Sequence, residues 1–194
     1  MEWVAAFAGL PKTDRPACTN ALVASIAMHL NDALDDEARQ GLKELIPELA
    51  AAVRTADDSR VDRRVALWCA QTMPAPTGAG LRALHEAALE AAGGYLDGHV
   101  SEARCRAAAA AAAEAGARMG SIALYVAADA AHAAVADDPG SAVFNAAAGA
   151  VDWALGTGEP VEWFRALLSA HAAARNADTG VEMPVLKEAV CSPA

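Results

Sequence analysis

Tyr125, Asp129 and His132 form the most suggestive polar group in the chain, because spacings of four and three bring all three to one face of a helix within two turns. Two chemistries fit that pattern. Asp129 could orient His132 so that the imidazole acts as a general base. Alternatively, Asp129 and His132 stand at the i, i+3 spacing by which helical bundles share a metal between carboxylate and imidazole. Di-iron bundles need a second such motif and two further carboxylates, and Glu-x-x-His does not occur in this sequence. Tyr125, Asp129 and His132 are therefore the candidate catalytic residues, and the spacing specifies neither a metal site nor a cofactor. The plain structural alternative is an Asp–His pair on the solvent stripe of an alanine-rich helix.

The remaining chemistry-bearing residues are scattered. His85-Glu86 lacks the second histidine of a zinc-protease helix. His29 and His171 fall within apolar stripes, as core or edge histidines do, although they or His85 could join the Tyr125 group from other helices. Cys18, Cys69, Cys105 and Cys191 include no close pair of the zinc-ribbon or redox kind, so reduced thiols are expected. No histidine or lysine beside them argues for a lowered thiol pKa. Glycine-rich phosphate loops, Gly-x-Ser-x-Gly and Ser-x-x-Lys are missing.

The elements that must position these residues follow from composition and period. Alanine accounts for 54 of 194 residues, and aromatic residues for only 5%. Alanine loses no side-chain entropy in a helix, whereas strands are built from β-branched and aromatic residues. Apolar periodicity and caps then predict an all-α, single-domain bundle of seven or eight helices over residues 1–175, with a tail over 176–194. Thr19 is the expected cap of a helix ending near Ala33, and Asp35 of a second helix whose Leu42, Leu45, Ile46, Leu49 and Val53 form a stripe that Pro47 should break. A third helix carries Val61, Val65, Trp68 and Cys69, and a fourth opens at Thr77 and weakens or ends at Gly93-Gly94. Ser101, Ser121 and Ser141 open the next three, with Phe144 expected inward. Pro160 starts the last, and Asp14 and Arg15 tie down the N-terminal arm. Helices five to seven, rich in alanine, should pack as a tight sub-bundle. The kinked Leu45-Ile46-Pro47-Glu48-Leu49 step also suits a short α-solenoid of the HEAT kind, although no second copy recurs at a fixed period.

A net charge of −10 opposes nucleic-acid binding, and the one tight basic cluster, Arg60, Arg63 and Arg64, lies among Asp57, Asp58 and Asp62 as a mixed solvated face. The stretches free of charge fall short of the roughly 20 residues a membrane span needs, and the chain opens without a basic leader. A cytoplasmic protein is expected.

The stretch Thr13-Asp14-Arg15-Pro16-Ala17-Cys18-Thr19-Asn20, continuing through Leu22-Val23, Asn31-Asp32 and Arg39-Gln40 to Leu45-Ile46-Pro47, resembles the opening of uncharacterised helical proteins of high-GC actinomycete bacteria. It covers about 35 residues and implies a cytoplasmic bacterial protein encoded beside specialised-metabolite or regulatory genes. No activity, cofactor or site residue comes with it.

The sequence thus favours a non-enzymatic accessory or protein-interaction role. A protein partner or a second copy of the chain would dock on aromatic residues such as Trp153, Trp163 and Phe164, expected to be partly exposed. The competing expectation is an enzymatic or small-molecule-binding bundle with its pocket at Tyr125, Asp129 and His132.

Overall fold

The structure, a computed structural model, describes residues 19–52, 54 and 58–177. Asp14, Arg15, Cys18, Val53, Cys191 and the predicted tail beyond 177 lie outside the described residues. Among the described residues the fold is all-α, with nine helices and no β-strand.

Helix α1 spans Ala21–Ala33, and its cap is Asn20 rather than Thr19: the Asn20 side chain accepts from the Val23 N–H at 3.1 Å. Asp35 caps α2, Asp36–Lys43, accepting from the Ala38 N–H at 2.8 Å. Pro47 splits the predicted second helix in two. It occupies the first turn of a separate short helix, α3 (Ile46–Ala51), where the missing N–H costs nothing. Helix α4 spans Asp58–Thr72 and α5 Ala79–Leu96. Gly93-Gly94 does not end α5. The backbone there packs directly on Val100, whose Cγ2 would lie 2.5 Å from a Cβ added to Gly94. Glycine is thus retained for close approach rather than for a break. Ser101 and Ser121 cap α6 (Glu102–Met119) and α7 (Ile122–Val135), and Gly120 between them adopts the left-handed conformation, φ +62°, that ends α6. Gly140–Thr157 forms α8 and Pro160–Asn176 forms α9.

Helix α7 is the centre of the molecule, packed against α4, α5, α6 and α8. Contacts of α4 with α8 and α9 close the bundle over long sequence separations, which a one-dimensional solenoid does not do. Two apolar clusters result. The larger joins Leu30, Leu45, Val65, Val151, Phe164 and Leu167 from the chain's two ends. The smaller is nearly all alanine, with Leu67, Leu124, Cys105 and Val135 among it, and belongs to α4, α5, α6 and α7. The alanine sub-bundle is therefore shifted one helix towards the N-terminus of the one expected, since α8 faces mainly the larger cluster. Thin side chains still bring α8 close to α7: a Cβ on Gly149 would lie 2.6 Å from Val126 Cγ2.

Three expectations about exposure are corrected. Phe144 is 49% exposed, because it stands near the N-terminal end of α8 at the edge of the stripe that α8 buries, Val143, Ala147, Ala150, Val151 and Ala154. Phe164 and Trp163 are buried, and only Trp153 stays half-exposed. Arg63 and Arg64 are not simply a solvated face. Arg63 donates to the Ala134 and Ala136 carbonyls at 3.4 and 2.7 Å, closing the C-terminus of α7. Arg64 donates to the Leu96 carbonyl at 3.4 Å and to Asp97 at 3.0 Å, closing α5. A guanidinium there satisfies orphan carbonyls at the negative end of the helix dipole. Arg63→Met should therefore lower unfolding free energy by about 1–2 kcal/mol, read by urea denaturation; an unchanged midpoint would show that water replaces the cap.

Candidate functional site

Because four helices cover α7, every residue of it is buried except Ile122, Tyr125, Asp129 and His132. These four lie at i, i+3, i+7 and i+10, one narrow stripe along the helix. The spacing that singled out Tyr125, Asp129 and His132 therefore marks the only line along α7 where polar side chains can meet water. Tyr125 is 43% and Ile122 56% exposed.

Asp129 and His132 do share a concavity, an open groove of about 320 Å³ between α6 and α7. Its walls are the methyls of Ala109, Ala110, Ala113 and Ala128, and its one contribution of charge from another helix is Arg106, a residue not foreseen as part of any site. Arg106 is tethered to Glu102 at 2.8 Å and reaches the Val135 carbonyl at 3.4 Å. Partial burial raises the Asp129 carboxyl above its ordinary value, with the neighbouring His132 acting in the opposite sense. Tyr125 does not line the groove. No serine, threonine or cysteine lines it either, so the groove offers a carboxyl, an imidazole and a guanidinium but no hydroxyl or thiol.

The other histidines stay apart. His29 lies on the outer side of α1, 3.2 Å from Asp152 of α8. His85 on α5 and His171 on α9 are buried, and burial lowers the pKa of each. Among the described residues neither His85 ring nitrogen nor Nε2 of His171 has a hydrogen-bond partner. Among the described residues no three of His, Cys, Asp and Glu gather as a metal would require. Cys69 and Cys105 are free and buried, with thiol pKa values pushed up by burial, and the Cys105 thiol donates to the Ala131 carbonyl at 3.3 Å. Such thiols pack; they do not attack.

Three large apolar side chains exposed to solvent follow one another across the α6–α7 turn: Met119 at the end of α6 is 62% exposed, and Ile122 and Tyr125 continue from it along α7. Phe144 of α8 lies apart from them, beside Ala21, Leu22 and Ser25 of α1 and Asp62 of α4. Among the described residues no helix is long and apolar enough to cross a membrane. Comparison with known protein families, with curated proteins and with solved structures finds no match to this chain.

Proposed function

We propose that the chain is a non-enzymatic cytoplasmic interaction protein, and that its α6–α7 face docks on a second copy of itself. The observation that carries this reading is the run of Met119, Ile122 and Tyr125, three large apolar side chains left exposed in succession across the α6–α7 turn. Monomers seldom leave such residues grouped, and a two-fold contact would bury them. Charge supports self-association. The chain carries −10 overall, yet α6 and α7 balance Glu102, Glu114 and Asp129 against Arg104, Arg106 and Arg118, so two copies meeting there need not repel. The groove at Asp129 and His132 then sits inside the contact as a polar patch that can pair with its symmetry mate. Two buried reduced thiols, Cys69 and Cys105, support a reducing compartment.

Light scattering across a wide concentration range tests it. The expected mass rises towards twice the 19.8 kDa of the chain. A constant monomer mass would overturn self-association.

A further inference from the structure

A second surface, which takes no residue from α7, holds three of the chain's four tryptophans. Trp68 of α4, Trp153 of α8 and Trp163 of α9 line a half-open pocket of about 250 Å³. The Trp68 and Trp163 rings touch at a centroid distance of 5.7 Å, tilted by 42°. Their arrangement is fixed: the Trp163 indole N–H donates to the Thr72 hydroxyl at 3.2 Å, which itself donates to the Cys69 carbonyl at 2.7 Å. The Trp163 indole N–H and the hydroxyls of Thr72, Thr157 and Ser169 are thus already engaged, and the Trp68 and Trp153 indoles remain.

The rim is acidic. Glu159 and Glu162 line the mouth, and Glu159 has no ion-pair partner among the described residues. Arg165 also lines it, but its guanidinium is held 3.4 Å from Glu162 and 3.8 Å from Glu44, so three carboxylates stand against one cation. A pocket whose interior is indole and whose rim is negative suits a positive charge that brings no N–H groups to satisfy. A primary ammonium needs three acceptors. A methylated ammonium needs none, and its charge is stabilised by the ring faces directly.

We propose that the Trp68, Trp153 and Trp163 pocket binds a small quaternary ammonium compound, with Glu159 supplying the long-range attraction. The site shares no residue with the α6–α7 face, so either can fail without the other.

Tryptophan fluorescence titration of the full chain tests it, with choline against its neutral isostere 3,3-dimethylbutanol and ionic strength held constant by sodium chloride. Choline should give a saturable change at least tenfold tighter than the isostere. Trp153→Leu, at a partly exposed position and with an apolar replacement, should abolish that preference while leaving the circular dichroism spectrum unchanged, and Glu159→Gln should weaken choline several-fold without altering the isostere. Equal binding of choline and the isostere, no saturable change with choline into tens of millimolar, or undiminished choline binding by Trp153→Leu would each overturn the assignment.

Discussion

Phe164→Ala should destabilise the protein by about 3–5 kcal/mol, a large share of the 5–15 kcal/mol that ordinarily holds a domain folded. Phe164 is completely buried, the largest such side chain among the described residues, and sits where α9 meets the larger core cluster. Its removal deletes the transfer free energy of the ring and leaves a cavity that the surrounding helices fill only in part. With a urea dependence of about 2 kcal/mol per molar, the midpoint should fall by about 1.5–2.5 M. A loss below about 1 kcal/mol would mean that α9 is not docked as described.

His85→Leu should act in the opposite direction, raising stability by about 1–3 kcal/mol at neutral pH. His85 is only 3% exposed, and neither ring nitrogen has a partner among the described residues, so the native protein carries the desolvation cost of an unmatched imidazole. Leucine of similar volume removes that cost. The gain should widen in acid. Burial lowers the folded pKa of His85 below its ordinary 6.5, so on acidification the unfolded chain takes up the proton first. Stability therefore falls as pH drops through 6.5 towards the folded value, by up to about 1.4 kcal/mol per pH unit for each such histidine, and His171 follows the same sign. Asp62 works against them. Burial raises its carboxyl to about 6, despite the Asn20 side-chain amide 2.9 Å away. The folded state thus holds that proton longer than the unfolded one, which favours folding between about pH 6 and the ordinary carboxylate range. The histidine effect should consequently be clearest between pH 7 and 6. Urea unfolding of both proteins at pH 7.5 and 6 measures it; an unstable His85→Leu would show that the imidazole has a partner or function of its own.

The fold was legible where local chemistry decides it. Asp35, Ser101 and Ser121 each cap the helix that the sequence assigns to them, and Pro47 breaks the stripe as steric exclusion demands. Tertiary contacts hid the rest. Gly94 reads as a helix end until Val100 is seen packed against it. Phe144 reads as core because alanine neighbours are neutral in hydropathy, so one phenylalanine sets the apparent inner face of α8 although the small residues are what α8 buries. The candidate site was legible only as a stripe. Spacing placed Tyr125, Asp129 and His132 on one face, but could not show that four helices cover the other faces of α7, nor that Arg106 arrives from α6. Tryptophans at 68, 153 and 163 carry no periodic signal that would group them, since three separate helices bring them together.

Self-association through α7 is tested most directly by sedimentation velocity on three proteins at one high concentration: the natural chain, Ile122→Asp and Glu86→Lys. Ile122 is exposed and is the first residue of α7, where a carboxylate suits the helix dipole, so Ile122→Asp should fold normally while placing a charge in the contact. Glu86 is an exposed residue of α5, outside the proposed face. The natural chain and Glu86→Lys should sediment as dimers and Ile122→Asp as a monomer. A natural chain that sediments as a monomer, or an Ile122→Asp dimer as stable as the natural one, would contradict the account.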